Sequence, residues 1–106
     1  MPIRPGEIEI KKLGVILTPS ISVIRATKKF GGPSGVIELV RSLDPDDMAR
    51  VLEAVALVDP DGLPERVYKA GLVDVSSAIQ ALIVNTCNGG RPPSDDATEA
   101  SDPSPV

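Results

Sequence analysis

The stretch EIEIKKLGVILTPS, residues 7–20, followed by ISVIRATKKF, residues 21–30, decides the fold class, because the hydrophobic period changes within it. Glu7-Ile8-Glu9-Ile10-Lys11 alternates polar and apolar residues with a period of two. Val15-Ile16-Leu17-Thr18 is a second extended run after a turn around Lys12-Leu13-Gly14. The pair reads as a short β-hairpin with its branched residues facing the rest of the domain. Two strands alone are marginal in water, so the hairpin must lie on other elements or on another chain's sheet. At Thr18 the pattern becomes helical. Thr18 is read as a helix cap and Pro19 as the first helical position, where its missing N–H costs nothing.

The rest of the chain is a series of short helices. Residues 20–30 place Val23, Ala26 and Phe30 near one face with Ile24 beside them, and Gly31-Gly32 stops the run. Pro33-Ser34 opens a second helix to about Leu43, with Val36, Ile37, Val40 and Leu43 at amphipathic spacing. Asp44-Pro45-Asp46-Asp47 is the clearest local signal: a capping carboxylate, a proline at the first position, then two acids at the positive end of the helix dipole. The helix it starts carries Met48, Val51, Leu52 and Val55 on one stripe. Pro64 begins a fourth helix, Glu65 to Ala70, ended by Gly71, and Asp74 is read as the cap of a fifth over Val75 to about Thr86. The fold class is therefore mainly α (α+β), an N-terminal hairpin followed by about five short helices, in one domain over residues 1–90.

That last helix is unusual. Val75, Ala78, Ile79 and Leu82 form its core face, yet Ala81, Ile83 and Val84 lie off it, so it is apolar nearly all round. Such a helix is either central in its fold or covered by another chain. One Phe, one Tyr and no Trp leave the core to be built from Ile, Leu, Val and Ala, without the area that aromatic residues supply. A partner or a second copy would add what is missing. Residues 91–106 contain four prolines and several acids, and read as a disordered acidic tail.

Charge and composition exclude several function classes. The chain holds 11 basic and 15 acidic residues, and beyond Gly90 lie Arg91 and the acids Asp95, Asp96, Glu99 and Asp102. Residues 1–90 are close to neutral, which lacks the basic surplus of a nucleic-acid binder. With no histidine, no nucleophile–His pair exists, and no catalytic residue is assigned. The lone Cys87 cannot pair within the chain, fits a reducing compartment, and reads as a small buried or half-buried residue. The acids at 44–47 and at 59–61 are explained by capping and turns, so no metal is assigned. Lys28 to Gly35 is glycine-rich but lacks the Gly-Lys-Ser/Thr ending of a phosphate loop, and no cofactor is assigned. The N-terminus has Pro2 and Pro5 where a signal peptide needs an apolar run, and no membrane association is expected.

The order of these elements resembles a known family. The Gly6-Glu7 hairpin start, Leu17-Thr18-Pro19, a helix ending in Phe30-Gly31, Val67-Tyr68-Lys69-Ala70-Gly71-Leu72, and Asn88-Gly89-Gly90 after the final helix are similar to the small tail assembly chaperones of siphophages and gene transfer agents. The likeness spans roughly residues 6–90. It departs at Lys12-Leu13-Gly14, where relatives tend to carry an Asp-Gly type of turn. The resemblance implies a non-enzymatic protein that holds the long helical tape measure protein during tail assembly. It also implies a place in the host cytoplasm and absence from the finished particle. A structural tail or head-to-tail component and a small helix-turn-helix DNA-binding regulator are the alternatives. The residues expected to contact a partner or a second copy are Val36, Val40, Ile79, Leu82, Ile83 and Val84, which equally fit an intramolecular core.

Overall fold

The computed structural model describes residues 4–93. Strand β1 (Ile8–Ile10) pairs antiparallel with β2 (Val15–Leu17), Ile8 facing Leu17 and Ile10 facing Val15. Helices follow as α1 (Ile21–Ala26), continued by a 3-10 turn (Thr27–Phe30), α2 (Gly32–Arg41), α3 (Pro45–Ala56), α4 (Leu63–Ala70) and α5 (Leu72–Cys87). The mainly helical fold with an N-terminal hairpin is the one the changing period predicts. The tail read over 91–106 falls, from residue 94 onward, outside the described residues.

In the hairpin, Ile10 and Leu17 point into the core while the cross-strand pair Glu9 and Ile16 points outward. The connection is a four-residue turn in which the Gly14 and Leu13 amides both donate to the Ile10 carbonyl. Gly14 takes the left-handed conformation that closes it, and Leu13 folds back into the core. The hairpin does not stand alone: β1 packs on α5 and β2 on α3.

Helix α5 is the centre of the fold. It packs against α2, β1, α1, α4 and α3, and buries Val75, Ile79, Leu82 and Ile83. An apolar circumference is what a helix surrounded by its own chain requires. Two polar groups on it are buried in fixed roles. Ser76 Oγ donates to the Val40 carbonyl near the end of α2 at 2.8 Å, and Asn85 Nδ2 donates to the Gly6 carbonyl at 3.0 Å. No buried side-chain nitrogen or oxygen among the described residues lacks a partner, as a low-dielectric interior demands.

Several boundaries differ from the sequence reading. Thr18 does not cap α1: its hydroxyl donates to Glu7 Oε2, and the helix starts only after Ser20, leaving Pro19 outside it. From Thr27 the helix tightens to 3-10 geometry, where the Thr27 hydroxyl takes the Ile24 carbonyl at 2.6 Å. Leu43 is not in the α2 stripe, since α2 ends at Arg41 and Leu43 turns out with φ +60°. The cause is Asp44-Pro45, which forces Asp44 into extended backbone, from where its carboxylate accepts the Asp46 and Asp47 amides. Asp74 does not cap α5. Gly71 alone separates α4 from α5, the axes bend by 100° there, and Asp74 falls in the first turn of α5. Cys87 is exposed rather than buried, because it sits on the outer side of the last turn of α5.

Candidate docking surface

The structure divides the six residues expected at a partner surface. Val36, Val40, Ile79 and Leu82 are fully buried and Ile83 is 1% exposed, all within this one chain. They form the seam between α2 and α5 and the core beneath it, so they offer no surface to a partner, and the expectation for these five is corrected. The reason lies in the angle between the helices. Packing α2 along α5 seals 36 and 40 against 79, 82 and 83, whereas periodicity alone cannot say which neighbour covers an apolar face. Val84 differs: it remains 42% exposed.

Val84 stands on one wall of a shallow groove of about 380 Å³ between α2 and α5. Helix α5 contributes Val84 and Cys87, three positions apart, with Ile83 below them. Helix α2 contributes Pro33 and Ile37, four apart and so on the same side of the helix. The end of the groove is closed by Pro93. A fold-back places it there: the Gly90 amide donates to the Asn85 carbonyl at 2.8 Å, and Asn88 Nδ2 donates to the Arg91 carbonyl at 3.0 Å. No Asp, Glu, Lys or Arg lines this groove. It presents apolar area with the Ser34 hydroxyl and the Asn88 side chain at its margin, a lining suited to an apolar stripe rather than to an ion.

Other sequence features find local explanations. Gly35 approaches so closely that a Cβ there would lie 2.0 Å from the Phe30 carbonyl oxygen, which accounts for the glycine by packing of α2 on the 3-10 turn. Arg25, Lys28 and Lys29 are exposed on α1 and that turn. On α5 the expected outward set Ser76, Ser77 and Gln80 is only partly outward. Ser76 is buried and Gln80, half-buried, donates from Nε2 to Ser76 Oγ. The fully outward positions of α5 are Val73, Asp74, Ser77, Val84 and Cys87, none of them cationic. Among the described residues no three His, Cys, Asp or Glu side chains come together as a metal site. No single helix among them is long and apolar enough to cross a membrane.

Sequence reasoning missed four outward apolar side chains: Ile16, Ile21, Leu57 and Val73. Leu57 had a usable signal, since it falls on the opposite side of α3 from the Met48, Val51, Leu52 and Val55 stripe. No protein-family model, curated protein or solved structure matches this chain at a significant level.

Proposed function

We propose that this chain is a non-enzymatic tail assembly chaperone that holds the tape measure protein during tail morphogenesis, taking hold of it through the α2–α5 groove. The observation that supports this reading is the uncharged lining of that groove, with Val84 and Ile37 facing each other across it. A helix with apolar residues at i, i+3, i+4 and i+7 can lay that stripe between two such walls. The groove is shallow and small against the ~800 Å² per partner of a standard interface. It would therefore grip and release, as an escort of a long helical chain must. The same reading puts the protein in the host cytoplasm and outside the finished particle.

The test is light scattering after size exclusion, with the protein mixed with helical fragments of the tape measure protein. Complex formation by the wild type and its loss in Val84→Asp is the expected result. A wild type that binds no fragment defeats the proposal. Mass spectrometry of purified particles separates the chaperone from a structural tail component, which would be retained in them. For DNA binding, the outward side of α5 offers no Lys or Arg to phosphate or guanine.

A further inference from the structure

Helix α3 presents an outward stripe of Arg50, Glu53, Ala54 and Leu57, at i, i+3, i+4 and i+7, opposite its buried face. Leu57 ends this stripe as a knob. It is 87% exposed, and its backbone is left-handed, φ 54° and ψ 38°. A leucine there costs about 1–2 kcal/mol relative to right-handed backbone, and glycine is the usual occupant. The fold gains no burial from the side chain. A strained and exposed leucine is thus unexplained by the chain's own packing.

The stripe also contains a hole. Next to Ala54, on the side away from Leu57, lies a depression of about 630 Å³ lined by Lys29, Phe30, Leu39, Arg50 and Glu53. Ala54 separates it from a second depression of about 260 Å³, which Leu57 lines with Ile16, Ser20, Ser22 and Val55. Charge is distributed with the same polarity. Lys29 and Arg50 stand at the hole, whereas Asp59 and Asp61 follow immediately after the knob. The last turn of α3, at the knob, holds no basic residue to offset the negative end of its dipole.

We infer that this face is self-complementary and pairs two copies of the chain, with α3 antiparallel to α3 of the second copy. A two-fold axis between positions 53 and 54 exchanges 50 with 57 and 53 with 54. It seats each Leu57 in the other copy's depression beside Phe30 and Leu39. It also sets each Asp59–Asp61 acidic turn against the other copy's Lys29 and Arg50, and opposes the two helix dipoles. Ala54 at the axis lets the backbones approach. An isologous interface needs such a patch, in which each feature and its complement lie equally far from the axis. A second copy is the occupant that this arrangement of knob, hole and charge fits. The pairing uses none of the α2–α5 groove and does not rest on the chaperone reading.

Sedimentation velocity over about 10 μM to about 1 mM tests it, the range in which a patch below standard interface size associates. The wild-type mass should rise from 11.1 kDa toward twice that value. Leu57→Asp and Ala54→Arg should each weaken association at least tenfold, while Val84→Asp leaves it unchanged. Lys29→Glu should weaken it, and combining Lys29→Glu with Asp59→Lys in one chain should restore much of it. Leu57→Gly, which relaxes the backbone, should also be monomeric, separating loss of the knob from loss of the fold. A wild type that stays monomeric at every concentration overturns the inference. So does a dimer that survives Leu57→Asp and Ala54→Arg but falls to Val84→Asp.

Discussion

The side-chain amide of Asn85 donates to the backbone carbonyl of Gly6 at 3.0 Å, joining residues 79 apart in sequence. Both residues are buried, and the Asn85 carbonyl accepts the Gly90 amide at 2.8 Å. One asparagine near the end of α5 therefore holds the segment before the hairpin and the turn after the helix. Asn85→Ala leaves the Gly6 carbonyl buried without its donor, a loss of about 1–3 kcal/mol. In a domain of this size that lowers the melting temperature by roughly 5–15 °C. Circular dichroism on heating is the check, and a variant that melts with the wild type would remove Asn85 from this role.

Gly6 is the tighter half of the same junction. Its φ is +88°, and a Cβ there would sit 2.1 Å from the Gly90 carbonyl oxygen. Gly6→Ala must displace backbone and also adopt a left-handed φ, so it should cost more than Asn85→Ala. Denaturant midpoints of the two variants, measured side by side, decide the order.

The Asp44 carboxylate accepts the amides of Asp46 and Asp47 at the start of α3. Asp44→Ala should cost about 1 kcal/mol and Asp44→Asn much less, because the amide oxygen caps nearly as well. Urea unfolding resolves the difference. Equal losses for both variants would mean that charge rather than capping matters at this position.

Ser76 Oγ donates to the Val40 carbonyl at 2.8 Å across the α2–α5 seam, where both residues are buried. Ser76→Ala is expected to cost about 1 kcal/mol, and Leu52→Ala, from a fully buried side chain, about 2–5 kcal/mol. Val84→Asp, on the exposed wall of the groove, should stay within about 0.5 kcal/mol of the wild type. Stability of all three by chemical denaturation separates the seam from the groove. A Val84→Asp variant as damaged as Leu52→Ala would place Val84 in the core.

Leu57→Gly trades a strained left-handed leucine for a residue that adopts that backbone freely, at some cost in chain entropy. Measured where the protein is monomeric, the variant should be more stable by about 0.5–1 kcal/mol. A destabilised variant would show that the exposed leucine supports the fold after all.

Local chemistry was legible wherever one residue type had one physical reason to be there. The alternation at 7–10 predicts the hairpin, and Asp44-Pro45 predicts a capped helix start, because both depend on neighbours within four positions. Thr18 misled for the same reason: as a cap it looks sufficient, and only the fold brings Glu7 within reach of its hydroxyl. Asp74 misled because a helix can begin directly at Gly71, and the 100° bend that permits this depends on what α4 and α5 pack against.

The sequence by itself determined which segments are strand and helix, where most of them stop, and that α5 is apolar all round. Whether that helix is covered by its own chain was decided only by tertiary structure. Sequence periodicity specifies the direction in which a side chain leaves its helix but not what stands opposite. Packing α2 along α5 put Val36, Val40, Ile79, Leu82 and Ile83 inside and left Val84 at a groove. The same packing turned Leu57 out to solvent on the far side of α3.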